Sequence, residues 1–319
     1  MIKIALLIAI YFGAGIFILN MGIQNLSKTL LKIGEKHIKP VLLKYTKNTV
    51  TSFFSGFSLS ILLQGSTPVM LCTISLINSG MMSFYSSLGI IYGANLGTTF
   101  SAILLTCNPQ YLKYIVLAAG LLMKCFIRKG NLAYIGDVLI SIGLIFIGIS
   151  VLNLSMPIFR AQLMQSNRFA RYGEHVSRPF SLSVFVTAVT HSSAAVTALT
   201  ILLFKEGIVG KAAVIAIILG SNLGTCITAQ IASYNTGREA VKMAWAHTLY
   251  NLAGSIAGLL LLTQLNNLLD WLINRFNWSS DLFPALCHII INLISAIVFI
   301  PLTRPYYLLI NKMVGEKKV

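Results

Sequence analysis

Gln64-Gly65-Ser66-Thr67 precedes Gly93-Ala94-Asn95-Leu96-Gly97-Thr98-Thr99, and the pair returns as His191-Ser192-Ser193-Ala194 and Gly220-Ser221-Asn222-Leu223-Gly224-Thr225-Cys226. The spacing between the two motifs is the same in both pairs, from 64 to 93 and from 191 to 220, so one constant offset in numbering relates the copies. Thirteen of the 36 aligned positions in 64–99 and 191–226 are identical, which is more than two unrelated apolar segments share by composition. The chain is therefore an internal duplication, with a first repeat at 1–130 and a second repeat at 131–319.

The composition is that of a membrane protein. With 56% hydrophobic residues, 10% charged residues and a mean hydropathy of +0.81, this 319-residue chain has too few charges to cover a soluble globule. Several apolar runs approach the roughly 20 residues that a membrane-spanning helix needs. These runs are Ile4–Leu26, Tyr111–Ile127, Ile135–Leu154, Leu182–Phe204, Val241–Leu262 and Phe283–Pro301. The sequence thus predicts an all-α polytopic membrane protein.

The charge balance is strongly basic, with 24 Lys and Arg against 8 Asp and Glu and a net charge of +16. In a soluble protein this balance would suggest nucleic acid, but here the basic residues lie in connections between apolar runs. That distribution favours contact with anionic lipid headgroups and no nucleic-acid partner. Lys28, Lys32, Lys36 and Lys39 fall on one helical face, which predicts an interfacial amphipathic helix, with a solvated loop as the alternative.

The first motif should interrupt its helix. Gly65 and Pro68 flank Ser66-Thr67, and proline both removes a backbone donor and clashes with the preceding turn. Broken helices are tolerated at membrane depth where the freed backbone groups line a cavity or are buried in protein. We therefore expect broken helices or re-entrant hairpins at both motifs, in two repeats that are inverted and share one binding site.

The motif segments carry no charged side chain, since Asp, Glu, Lys and Arg are missing from 48–112, 179–204 and 212–237. An anion could be held by N–H groups at interrupted helix N-termini together with Ser and Thr hydroxyls. A cation such as Na⁺ could be held by side-chain oxygens and by carbonyls freed near the motif glycines. Those positions are Asn95, Thr98, Asn222 and Thr225, with Gly93, Gly97, Gly220 and Gly224. Burying either ion alone in a neutral, low-dielectric setting is costly, so binding both together is favoured, as symport requires.

The doubled motif pair resembles the sodium-dependent phosphate cotransporter (Na/Pi, type II) family, whose Q-S-S-S segments lie on opposed re-entrant hairpins. The resemblance covers roughly 4–301 and implies Na⁺-coupled symport of inorganic phosphate in a bacterial plasma membrane. It implies contact with membrane lipids, allows a homodimer, and implies no cofactor beyond Na⁺ as coupling ion. The implied substrate-binding residues are Gln64, Gly65, Ser66, Thr67, His191, Ser192, Ser193 and Ala194. The implied Na⁺ ligands are Gln64, Asn95, Thr98, Thr99, His191, Asn222 and Thr225. Many bacterial relatives continue into a soluble PhoU-like domain, and we expect a member without one, because the sequence ends at Val319.

Two departures from the family's motif leave alternatives open. Gly65 stands where the first motif would have Ser, and His191 stands where the second would have Gln; a histidine ring can donate or accept, and histidine titrates near neutral pH. The alternatives are a proton-coupled or uncoupled transporter or exporter of phosphate or another oxyanion, and a channel or scaffold. An intramembrane hydrolase with His191 or His247 as base and Ser192 or Ser193 as nucleophile would need an orienting carboxylate, which the motif segments lack. We therefore expect no enzyme activity.

Overall fold

The computed structural model describes residues 2–46, 48–106, 111–127, 131–165 and 176–315, and these residues form helices and short connections without a strand. The first repeat contains α1 (Ile2–Lys44), α2 (Thr49–Leu62), α3 (Ser66–Asn78), α4 (Phe84–Thr106) and α5 (Leu112–Phe126). The second contains α6 (Asn131–Gln165), α7 (Ser177–Thr190), α8 (Ser193–Lys205), α9 (Lys211–Ser233), α10 (Arg238–Leu260), α11 (Leu262–Arg275), α12 (Phe283–Phe299) and α13 (Thr303–Val314), with a 3₁₀ turn at Ser280–Leu282. The predicted all-α class is confirmed.

The duplication extends to the helix boundaries. The numbering shift from Gln64 to His191, applied to α3 and α4, gives the bounds of α8 and α9. Applied to α2, it gives the bounds of α7 to within one residue. Both motif segments break at the same point, because α2 ends two residues before Gln64 and α7 ends one residue before His191. Gln64 and His191 both adopt left-handed backbone conformations, with φ of 55° and 53°. The run Leu182–Phe204 is therefore two helices rather than one span.

The glycines of the second motif show how α2 and α4 lie together. Gly93 packs against the carbonyl of Phe53, and Gly97 packs against the carbonyl of Phe57. In both pairs the same number of residues separates the glycine from its phenylalanine. A step forward along α4 is therefore also a step forward along α2, so the two helices run in the same direction. Since α3 connects the end of α2 to the start of α4, it must run back against both. The segment α2–α3 is therefore a helical hairpin with its tip at residues 63–65.

The second repeat follows the same geometry. Gly220 packs against Phe180 and Gly224 against Val184, again with an unchanged separation, so α7 and α8 form an equivalent hairpin. The expectation of freed carbonyls near the motif glycines is wrong. The glycine motifs do not interrupt their helices, because α4 and α9 continue unbroken through them, and no carbonyl is freed near these glycines. The missing side chains instead let two helices approach closely, as small residues do in membrane proteins.

Several of the long helices are candidate membrane spans. Among the described helices, Ala133–Leu154, Lys211–Ser233 and Ser280–Phe299 are long and apolar enough to cross a membrane, and α10 with α11 would also qualify but for an 82° bend between them. Helix α1 packs along α6 and continues for 43 residues, roughly 65 Å at 1.5 Å per residue. The stretch Lys28–Lys39 is helical rather than a solvated loop, but it continues α1 instead of forming a connection of its own, and its position at the membrane surface stays a prediction. The side chains of Lys36 and Lys39 lie outside the described residues.

Candidate functional site

A cavity of about 290 Å³ lies where the two hairpin tips meet. On the same scale a single water needs roughly 10–15 Å³, so the space is ample for a polyatomic anion. Its lining includes apolar side chains together with Gln64, Gly65, Ser66, Thr67, Thr98, His191, Ser192, Ser193 and Ala194, and with Gln24, Ser27 and Lys28 of α1. The structure brings together all eight residues implied for substrate binding, and their role as ligands stays a prediction.

Two equivalent serines occupy the centre of this arrangement. Ser66 and Ser193 are the first residues of α3 and α8, and only 4% and 7% of their surfaces are exposed. The described residues offer neither hydroxyl a hydrogen-bond partner. Both helix N-termini also bring first-turn amides that have no partner within their own helix. At the second tip, Ser192 Oγ accepts a hydrogen bond from the Ala195 amide (3.2 Å), whereas Gly65 has no side chain to cap α3.

Further contacts fix the tips. The Gln64 side chain donates from Nε2 to the carbonyl of Ile61 (2.9 Å). His191 Nδ1 lies 2.9 Å from the Thr228 hydroxyl on α9, which leaves the other ring nitrogen available to the cavity. The tip conformations therefore depend on local hydrogen bonds and on the neighbouring helix.

The polar residues of the glycine motifs divide between the cavity and the protein interior. Thr98 lines the cavity and shares a 3.0 Å hydrogen bond with Ser60, which links α2 to α4. Asn95, Thr99, Asn222 and Thr225 are buried outside the lining of the cavity. Of the implied Na⁺ ligands, only Gln64, Thr98 and His191 line the cavity.

These buried polar side chains have hydrogen-bond partners within the protein. Asn95 donates to the Ile91 carbonyl (2.8 Å), Thr99 to Leu96 (2.7 Å) and Thr225 to Asn222 (2.6 Å). The Asn222 side chain bridges to α12, with its Oδ1 3.0 Å from His288 Nε2 and its Nδ2 donating to Asn292 Oδ1 (3.4 Å). Asn222 therefore joins two helices, and the assignment of these residues to Na⁺ stays a prediction.

Helix α1 also lines the cavity, which the duplicated motifs did not predict. Asn20, Gln24, Ser27 and Lys28 stand at positions i, i+4, i+7 and i+8, which places them on one helical face. Asn20 donates to the Thr190 carbonyl beside the second tip (3.4 Å), and the other three line the cavity. Lys28, which is exposed, thus lies at the cavity, a position that the row of lysines did not predict. The signal available beforehand was this cluster of polar residues in an otherwise apolar run.

Comparison with known proteins identifies the family. The model of the Na⁺/Pi-cotransporter family matches residues 16–153 and 162–273. The chain belongs to the Na⁺/Pi-cotransporter family. It is 28% identical to the uncharacterized protein YqeW of Bacillus subtilis, over 98% of this chain and all of YqeW. No solved structure matches the chain significantly.

More distant relatives include YjbB of Salmonella typhimurium and Escherichia coli K12, each named as a candidate inorganic phosphate export protein. This cotransporter-family chain is 22% and 21% identical to them over 93% and 94% of its length. It spans about half of these relatives, 54% in each case. The family resemblance inferred from the doubled motifs is confirmed, and the protein is a membrane protein of a phosphate transporter family.

Both departures from the family's motif lie at the tips of the two hairpins. Gly65 removes a hydroxyl from the first tip, which leaves Ser66 and Thr67 as its hydroxyl donors. His191 occupies the position equivalent to Gln64 with nearly the same backbone φ, so the substitution preserves the turn. The two tips therefore share a backbone geometry but present different polar groups.

Proposed function

We propose that this chain carries inorganic phosphate across the membrane and binds the anion in the cavity between the two hairpin tips. One observation carries the proposal: Ser66 and Ser193, equivalent in the two repeats, are buried at helix N-termini and line the same cavity. Hydroxyls and first-turn amides donate hydrogen bonds, and the helix dipole favours negative charge at this end. Phosphate has enough oxygens to accept from both tips at once.

The proposal includes re-entrant hairpins in inverted repeats. The hairpin arms contain 13 or 14 residues and extend about 20 Å, which is short of the roughly 30 Å hydrocarbon core. Each hairpin would enter and leave on the same side of the membrane, and two tips that meet at one cavity fit entry from opposite sides. Rocking of one repeat against the other would then expose the site alternately to each side.

Na⁺ is the proposed coupling ion. The family's name supports it, and polar side chains at Gln64, Thr98 and His191 line the cavity. The names of the YjbB relatives support a second candidate, export of phosphate that is driven by protons or is uncoupled. A hydrolase has no support at this site, because no carboxylate occurs among the described lining residues and the family is one of transporters.

Transport by the purified chain in liposomes tests the proposal. Radiolabelled phosphate uptake is measured with an inward Na⁺ gradient, an outward Na⁺ gradient, and choline in place of Na⁺. Ser66→Ala and Ser193→Ala should each weaken phosphate binding roughly 10- to 100-fold, because a hydrogen bond to a charged ligand contributes about 1.5–3 kcal/mol. Ser75→Ala is the matched control, since Ser75 lies exposed on the same helix as Ser66 and outside the cavity lining.

The outcomes separate the site from the coupling. Phosphate affinity that stays at the wild-type value in both serine variants would remove the tips from the binding site. Uptake that follows the direction of the Na⁺ gradient supports symport. Equal transport in choline would contradict Na⁺ coupling and favour the proton-driven or uncoupled exporter.

A further inference from the structure

We infer that Lys28 is an anion-binding residue of the cavity and supplies the fixed positive charge that phosphate meets there. The inference rests on the proposed function, because it adds a residue to the same site. Lys28 lies on α1, outside both hairpins and outside both copies of the duplicated motif.

The position of α1 brings Lys28 towards both tips. The helix packs against α3 and α8, the two helices that begin at the cavity. Gln24, Ser27 and Lys28 all line the cavity, and Asn20 on the same face is hydrogen-bonded to the Thr190 carbonyl. The polar face of α1 therefore lines the cavity beside both hairpin tips.

No acidic side chain that the structure describes pairs with Lys28. Among the lining residues that the structure describes, Lys28 is the one with a permanent charge, and none is acidic. Lys28 takes part in none of the ion pairs found in the described part of the chain, which are Lys124–Asp137, Lys205–Asp281, Lys211–Asp270 and Lys242–Glu239. Lys28 is exposed and shares the cavity lining with the hydroxyl groups of the tips, and a lysine ammonium binds phosphate as a point charge.

This charge is not duplicated. The offset that relates the two motif copies takes Lys28 to Ser155, so the equivalent residue of the second repeat is neutral. The anion would therefore be held by paired donors from the two tips and by one charge from the first repeat. Because Lys28 offsets part of the anion's charge, phosphate should bind measurably without Na⁺. The motif segments, which carry no charge, would by themselves favour binding of both ions together.

Phosphate binding to the purified full chain tests the inference, using calorimetric titration in choline and in Na⁺ buffers. Lys28→Gln should weaken binding roughly 10- to 100-fold in choline and by a smaller factor in Na⁺, where the cation takes over part of the neutralisation. Lys28→Arg keeps the charge and should retain most of the affinity. Lys32→Gln is the matched control, because Lys32 is an exposed lysine one turn further along α1 and lies outside the cavity lining.

A chemical rescue separates charge from structure. Lys28→Cys should bind phosphate weakly, and treatment with aminoethyl methanethiosulfonate, which attaches an ammonium group, should restore binding in the same protein sample. Treated wild type controls for reaction at the native cysteines. The role of Lys28 would be overturned if Lys28→Gln and Lys28→Cys bound phosphate with wild-type affinity while Ser66→Ala bound it more weakly. That result would leave the proposed site intact. Wild-type protein that neither binds nor transports phosphate would instead overturn the proposed function.

Discussion

Adding one methyl group at Gly97 or Gly224 tests the helix packing that holds the two hairpins in place. A Cβ at Gly97 would lie 2.5 Å from the Phe57 carbonyl oxygen and 2.8 Å from Ser60 Cβ. A Cβ at Gly224 would lie 2.6 Å from the Val184 carbonyl oxygen and 2.7 Å from Thr187 Cβ. Backbone oxygens cannot rotate away, so in each variant the two helices must separate by several tenths of an ångström or more.

The expected magnitude follows from two opposing terms. Overpacking of this kind costs roughly 1–3 kcal/mol, whereas replacing a helical glycine by alanine gains up to about 1 kcal/mol in helix propensity. Gly13→Ala in α1 isolates the second term, because no atom lies within 4 Å of the added Cβ. Gly97→Ala should therefore be less stable than Gly13→Ala by roughly 1–3 kcal/mol, and Gly224→Ala should match it.

Thermal unfolding in detergent and phosphate uptake in liposomes measure the effect. We expect both Gly97→Ala and Gly224→Ala to melt earlier than Gly13→Ala. Transport should also fall in Gly97→Ala, because its neighbour Thr98 lines the cavity. Equal stability of Gly97→Ala and Gly13→Ala would refute the close packing, and a large difference between Gly97→Ala and Gly224→Ala would refute the equivalence of the repeats.

Two further substitutions probe the polar residues. Asn222→Ala should destabilise the protein by roughly 1–3 kcal/mol, because it leaves buried groups of His288 and Asn292 without a partner; unfolding identical to that of the wild type would contradict this bridge. His191→Gln should retain transport, because it restores the residue found at the first tip, whereas His191→Leu should lose affinity for phosphate. Uptake kinetics of the two variants decide this, and equal activity of the leucine variant would exclude a polar role for His191.

The sequence by itself determined the membrane class, the duplication and the two break points. These features are local or statistical: hydropathy follows from composition, the repeat from alignment of the chain with itself, and the breaks from Gly65, Pro68 and the matching positions around His191. The same information predicted that the two tips would share one site. The all-α class follows as well, because apolar runs of this length satisfy their backbone hydrogen bonds within each helix.

Only the tertiary structure decided what these elements do to one another. The glycine motifs suggested freed carbonyls, but in the structure their glycines are contact points between helices. The partner of each glycine lies on another helix that is distant in sequence, so a local sequence pattern cannot identify it. The contact between Asn222 and His288 likewise appears only in the structure, and the assignment of Asn222 to Na⁺ stays a prediction. Lys28 shared a helical face with other lysines and also with Gln24 and Ser27, and sequence periodicity cannot say whether a face meets lipid headgroups or a cavity. That choice depends on which helices pack around α1, and it is fixed only when the whole chain has folded.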